Sequence, residues 1–194
     1  MAVGVEKLLA NEVQKLVLTR PVVEAGENLG FLPGTLQEKI SPYLLPLLDA
    51  LNDLVGPTMA KKLLDTGKIE FAPLAYMRGR TFNNAYVILD EAQNTTVEQM
   101  KLFVTRIGEY SYFVVNGDVS QSDLKGLPEN GLEYIVRRLR GKSENIDIIE
   151  FSHSDIQRSE IVKTILTHLD GPDDRVTRGG HVRSRHSFHE KHAA

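Results

Sequence analysis

Apolar residues follow two spacings along this chain, and the two alternate. Short apolar-rich runs of strand length fall at Leu16 to Leu18, Ile69 to Leu74, Tyr86 to Leu89, Phe113 to Val115 and Ile146 to Phe151. Between them lie stripes of helical period: Val3, Leu8, Leu9 and Val13; Leu44, Leu47, Leu48, Leu51 and Val55; Met100, Phe103, Val104 and Ile107; Leu132, Ile135, Val136 and Leu139. A shorter helix is expected around Ala60 to Leu64, and a last one over Asp155 to Leu169, with Ile161, Ile165, Leu166 and Leu169 facing inward. Strands that alternate with helices point to an α/β fold with a parallel sheet. Tyr86 to Leu89 does not alternate with polar residues, so both faces of that strand should be covered.

Boundary signals refine the pattern. Ser41 and Pro42 can open the second helix as N-cap and first-turn proline, and Pro46 should bend it near its start. Thr95 and Glu98 have capping-box spacing, Gly108 and Gly141 stop helices, and Gly4 is a weak point in the first one. Gly26, Gly30 and Gly34 mark a long turn-rich loop after the first strand.

Composition adds a class and removes several. At 194 residues with 41% hydrophobic and 25% charged, one globular domain with a real core is expected. No apolar run has membrane length and no signal-peptide pattern opens the chain, so a cytoplasmic location is expected. With no cysteine there are neither disulfides nor cysteine-held metals. The net charge of -3 gives no general attraction to nucleic acid. Charge is uneven, however: five Arg or Lys residues follow Asp174, against the single acid Glu190. Residues 171–194 are poor in apolar groups and read as a basic, disordered tail whose His181, His186, His189 and His192 belong to solvent.

Candidate chemistry concentrates where strands end. Asp90 and Glu91 follow the buried run Tyr86 to Leu89, at the carboxyl end where ligands of open α/β sheets bind. The pattern fits magnesium nucleotide hydrolysis, with Asp90 holding the metal through water and Glu91 polarising the attacking water. A bare acid pair equally describes a solvated turn; the flanking sequence favours the chemical reading. Asn116-Gly117-Asp118-Val119-Ser120-Gln121 repeats the arrangement after Phe113 to Val115, and Gln121 either senses a phosphate or caps a turn. Arg78 and Arg80 flank Gly79, which suits phosphate or nucleic-acid contact as well as a solvated surface. A phosphate loop of the form G-x-x-x-x-G-K-[ST] occurs nowhere in the chain.

These stretches resemble the PhoH family, RecA-like P-loop ATPases related to superfamily 1 helicases. The resemblance runs from Lys15 to about Leu166, and its markers form a long series in one order. They are Leu18-Thr19-Arg20-Pro21-Val22-Val23-Glu24-Ala25-Gly26-Glu27, Gly30-Phe31-Leu32-Pro33-Gly34, Pro73-Leu74-Ala75-Tyr76-Met77-Arg78-Gly79-Arg80-Thr81, Ile88-Leu89-Asp90-Glu91-Ala92-Gln93-Asn94-Thr95-Thr96, and Gly117-Asp118 with Gln121.

The resemblance implies a three-layer RecA-like domain over residues 1–170 with a mostly parallel sheet, lacking the phosphate-loop strand. In relatives that strand and its helix precede the first strand found here, and Met1 to Val13 looks like the tail of that helix. ATP and Mg2+ are the implied cofactors, with Asp90 at the metal, Glu91 and Gln121 at the reacting water and Asp118 at the nucleotide. Thr19 and Arg20 occupy the helicase segment that touches single-stranded nucleic acid. Arg78, Arg80 and Arg158 are the implied arginine fingers or RNA contacts. Family likeness also implies action on RNA, ring assembly and, in some bacteria, work with an endoribonuclease. Without a phosphate loop, a non-catalytic RNA-binding or assembly subunit is the alternative.

Overall fold

In the computed structural model of the chain the described residues are 1–21, 36–124, 126–152, 155 and 159–169. The glycine-rich stretch at 22–35, Arg158 and the basic segment 171–194 lie outside them. The chain divides into two compact units, Met1–Ile148 and Ile149–Ala194.

The first unit is built on a four-stranded sheet. Strands β1 (Lys15–Thr19), β2 (Ile69–Phe71), β3 (Ala85–Leu89) and β4 (Tyr112–Val115) lie in the order β2-β1-β3-β4. All three pairings are parallel. Every residue of β3 is buried, as its unbroken apolar run requires. The register matches Thr19 to Leu89 and Leu89 to Val115. Strand ends therefore coincide, and Arg20, Asp90 and Asn116 leave the sheet along one rim.

Alternation within β1 serves two cores. Leu16 and Leu18 face helices α1 (Ala2–Leu9), α2 (Leu36–Val55) and α3 (Pro57–Asp65), packing with Leu8, Leu47, Leu51 and Leu63. Val17 joins Val87 and Leu89 on the other face, against Met100 and Phe103 of α4 (Val97–Val104) and Leu132 of α5 (Gly131–Leu139). Helices on both faces of a parallel sheet make the three-layer α/β arrangement that the RecA-like reading calls for.

Local details depart from the sequence expectation in five places. The α4 capping box sits one residue later than expected: the Thr96 hydroxyl accepts from the Gln99 amide at 3.2 Å, and Gln99 Oε1 accepts from the Thr96 amide at 2.8 Å. Thr95 is buried instead, its hydroxyl donating to the Ala92 carbonyl at 2.7 Å. Helix α2 starts at Leu36, so Ser41, Pro42 and Pro46 lie inside it and each proline removes one helical hydrogen bond. Gly4 is a site of close approach, since a Cβ there would meet the Tyr86 ring at 2.8 Å and Leu16 Cδ1 at 2.9 Å. The second strand stops at Phe71 because Pro73 lacks a ladder donor, and a 3-10 turn, Leu74–Met77, follows.

The fifth departure is the run Ile146 to Phe151, which forms no strand. An apolar run pairs only when a neighbour offers an edge, and among the described residues none does so for this one. Ile149 is 77% and Phe151 82% exposed. In the second unit, the Ser152 amide and hydroxyl both donate to the Asp155 carboxylate at 2.7 Å, and helix α6 spans Glu160–Leu169. Ile161 and Ile165, expected to face inward, are exposed. Among the described residues no helix is long and apolar enough to cross a membrane.

Candidate functional site

The carboxyl rim of the sheet gathers four polar side chains from three adjacent strands. Asp90 follows β3, and its amide donates to the Thr19 carbonyl at 3.0 Å, continuing the ladder one step past the strand. Its carboxylate accepts from Asn116 Nδ2 at 3.0 Å, and Arg20 Nε lies 3.6 Å from Oδ2. Glu91 then turns the chain sharply, with φ 53° and ψ 41° in the left-handed region. Such a conformation costs a non-glycine residue about 1–2 kcal/mol. The turn throws the Glu91 carboxylate back beside Asp90.

Both oxygens of Glu91 are engaged. Oε1 accepts from Arg20 Nη2 at 2.7 Å and Oε2 from Gln93 Nε2 at 2.6 Å. Gln93 is 1% exposed and fixed at its other end, where Oε1 accepts from the Asp118 amide at 3.1 Å and its carbonyl accepts from the Ser122 hydroxyl at 3.0 Å. Gly117 makes room for this bridge: a Cβ there would run into Gln93 Oε1 and the Ala92 amide. Asp118 caps the following turn, accepting from the Ser120 amide and hydroxyl and from Gln121 Nε2 at 2.7 Å.

Of the residues singled out from sequence, the fold brings Arg20, Asp90 and Glu91 into direct contact, and Gln93 ties Glu91 to Asp118. Gln121 performs its turn-capping role through Asp118. Thr19 is fully buried at the end of β1, and its hydroxyl lacks a hydrogen-bond partner. Arg80 stands elsewhere. It makes two hydrogen bonds to Glu70, at 2.6 and 3.0 Å, and Lys15 adds a third at 3.0 Å. Lys15 and its register partner Ala85 begin their strands, about 13 Å from the carboxyl rim at ~3.3 Å per residue. A cleft of about 290 Å³ lies at that amino end, lined by Gln14, Lys15, Arg80, Thr81, Phe82, Asn83 and Ala85. The Arg80 guanidinium holds the Glu70 carboxyl below its ordinary value. Arg78 is exposed on the connection that runs back to β3.

Two members of the cluster carry no role in the sequence reading, Gln93 and Asn116. Each sits one or two residues beyond a highlighted position. Their signal was an amide-bearing side chain at the end of a buried strand, where only a polar partner offsets the loss of water.

The rim suits a hard divalent cation only in part. Among the described residues no group of three His, Asp or Glu side chains gathers to chelate a metal. Asp90 can contribute one carboxylate, directly or through water, as magnesium sites that also use substrate phosphates require.

Comparison with known proteins agrees with the fold and the rim. The chain is 54% identical over 166 residues to a PhoH-like protein of Mycobacterium bovis, covering 86% of this chain and 47% of that protein. It is 51% identical over 167 residues to a PhoH-like protein of Bacillus subtilis, with 86% and 52% covered. Against protein PhoH of Escherichia coli K12 the identity is 44% over 167 residues, with 85% and 47% covered. The chain thus spans about half the length of the curated relatives it matches. The family model for PhoH-like proteins matches residues 1–170, and the chain belongs to that family.

Proposed function

We propose that this chain carries the water-activating half of a PhoH-type ATPase whose hydrolysis drives RNA remodelling. Members of the family are generally ATP-binding. The observation that carries the reading is the acid pair at the carboxyl end of the central strand, set by a left-handed turn and clamped by Arg20 and Gln93. A strained, tightly held glutamate beside a second carboxylate is costly, and such cost marks functional sites. In this reading Asp90 holds Mg2+ through water, Glu91 orients and deprotonates the attacking water, and Asp118 with Gln121 faces the nucleotide. The metal supplies charge neutralisation at the transferred phosphoryl group.

Arg20 and Thr19 begin the segment assigned to single-stranded RNA, Thr19 acting from beneath as a buried support. Arg80, bound to Glu70 at the opposite end of the strands, is too far away to serve Asp90 and Glu91 of its own chain. It, Arg78 or Arg158 would act as a finger only toward a neighbouring subunit, which fits a ring. A cytoplasmic location and an endoribonuclease partner complete the proposal, with residues 1–170 as the ATPase domain and 171–194 as its basic tail. Hydrolysis measured in a form that includes a phosphate loop, with and without single-stranded RNA, is the test. Turnover stimulated by RNA supports the proposal, and no turnover under either condition refutes it.

One observation favours a second reading, a non-catalytic RNA-binding or assembly subunit: the 194 residues contain no G-x-x-x-x-G-K-[ST]. Calorimetric titration of this chain with ATP and with single-stranded RNA separates the two. A motor binds both ligands, and a scaffold binds RNA alone.

A further inference from the structure

The two groups that hold Glu91 differ in their freedom to leave. Gln93 is locked by burial and by its bonds to the Asp118 amide and the Ser122 hydroxyl, so its departure would strand buried polar groups. Arg20 keeps 20% of its side chain exposed, on the rim where β1 has just ended, and its second contact, to Asp90, is longer at 3.6 Å. The Glu91 side chain is 38% exposed, and Arg20 lies against Oε1, the oxygen that Gln93 does not hold. A guanidinium has five donors and no acceptor, so a water that needs an acceptor for its proton finds none where Arg20 sits.

We propose that Arg20 is a latch on Glu91, released when a phosphate oxyanion competes for the guanidinium. The inference rests on the reading of Glu91 as the group that activates water. Arginine pairs with phosphate through two parallel hydrogen bonds, so a phosphate at the rim offers Arg20 a partner at least as good as a carboxylate. Withdrawal of Arg20 frees Oε1 for water while Gln93 keeps the carboxylate aimed. Arg20 is then a positioning residue that makes activation depend on ligand. The phosphate belongs either to the nucleotide or to an RNA backbone, and the two sources are separable.

A double-mutant cycle on the full 194-residue chain tests the latch by binding alone. Affinity for a short single-stranded oligouridylate and for magnesium ATP is measured in wild type, Glu91→Gln, Arg20→Gln and the double variant. If Arg20 is shared, Glu91→Gln tightens phosphate-ligand binding about threefold or more when Arg20 is present. Less of that gain survives in the Arg20→Gln background, which isolates the general effect of removing one negative charge. Coupling seen with the oligouridylate alone assigns release to the RNA backbone, and coupling with ATP alone assigns it to the nucleotide. In parallel, the Glu91 carboxyl carbon resonance should move when the probe saturates wild type and stay still in Arg20→Gln. Binding with equal gains in both backgrounds, or a carboxyl resonance that does not move, overturns the latch and leaves the ATPase reading intact. Failure of either probe to bind any variant also overturns the latch. The ATPase reading then stands or falls separately on hydrolysis by the form bearing a phosphate loop.

Discussion

Glu91 concentrates the cost and the use of the site in one residue. Its left-handed backbone is disfavoured for any side chain, and glycine would hold the turn more cheaply. The side chain persists there with both oxygens bonded, which is the arrangement of a group placed for chemistry. In a form bearing a phosphate loop, Glu91→Gln should nearly abolish hydrolysis while ATP binding survives. Loss of a positioned catalytic group raises the barrier by about 2–4 kcal/mol, so single-turnover rates should fall by two to three orders of magnitude on the order of that figure. Wild-type turnover in that variant would remove Glu91 from the mechanism. Gln93 makes a different case, since its amide bridges Glu91 and the Asp118 backbone from within the core. Gln93→Leu leaves the Asp118 amide and the Glu91 carboxylate short of a partner, and should lower unfolding free energy by about 1–3 kcal/mol in urea titration. An unchanged midpoint would mean that water replaces the amide there.

At the scale of elements, what was legible is what short-range pattern determines. The unbroken run Tyr86 to Leu89 became a strand buried on both faces, and Met100 with Phe103 became the inward stripe of α4. Contacts between elements were not legible, because they depend on register. Arg20 and Glu91 are 71 positions apart, and they meet only because Thr19 pairs with Leu89 in the parallel ladder. Arg80 misled for the same reason: its flanking glycine resembles a phosphate contact, while the register brings Glu70 and Lys15 to it. The capping box slipped by one residue because Thr95 and Thr96 offer the same hydroxyl, and burial of Thr95 decided between them. The Glu70 cluster joins β1, β2 and the connection to β3, and its pH dependence has a definite sign. Arg80 lowers the folded-state value of Glu70 below that of an unfolded chain, near 4.3. The stabilisation is therefore present above about pH 4.3 and lost as pH falls through the folded value. Wild type should exceed Glu70→Gln in unfolding free energy near neutrality, with the gap closing on acidification. A gap independent of pH would show that the carboxylate's charge contributes nothing.

For the whole molecule, the open side of β4 governs what this chain can do alone. Tyr112–Val115 is an apolar strand paired only with β3, and its residues are partly or well exposed where those of β3 are buried. Its outer row of amides and carbonyls is a template for another strand, an arrangement that favours self-association. Resemblance to the family assigns that position to the phosphate-loop strand, followed outward by the run Ile146 to Phe151, which forms no strand here. The same strand would deliver the backbone amides and lysine that hold phosphates, and without them Asp90 and Glu91 present two negative charges to a polyanion. This chain should therefore bind magnesium ATP weakly, with no heat of binding at micromolar concentrations, and should self-associate with rising concentration in light scattering. A longer form that adds the segment preceding these residues in the relatives should bind ATP and melt at higher temperature, because one added strand satisfies the edge of β4 and offers a partner to Ile146 to Phe151. A monomeric, cooperatively unfolding preparation of the 194 residues that binds magnesium ATP with micromolar affinity would show that the edge of β4 is not the place of the missing strand.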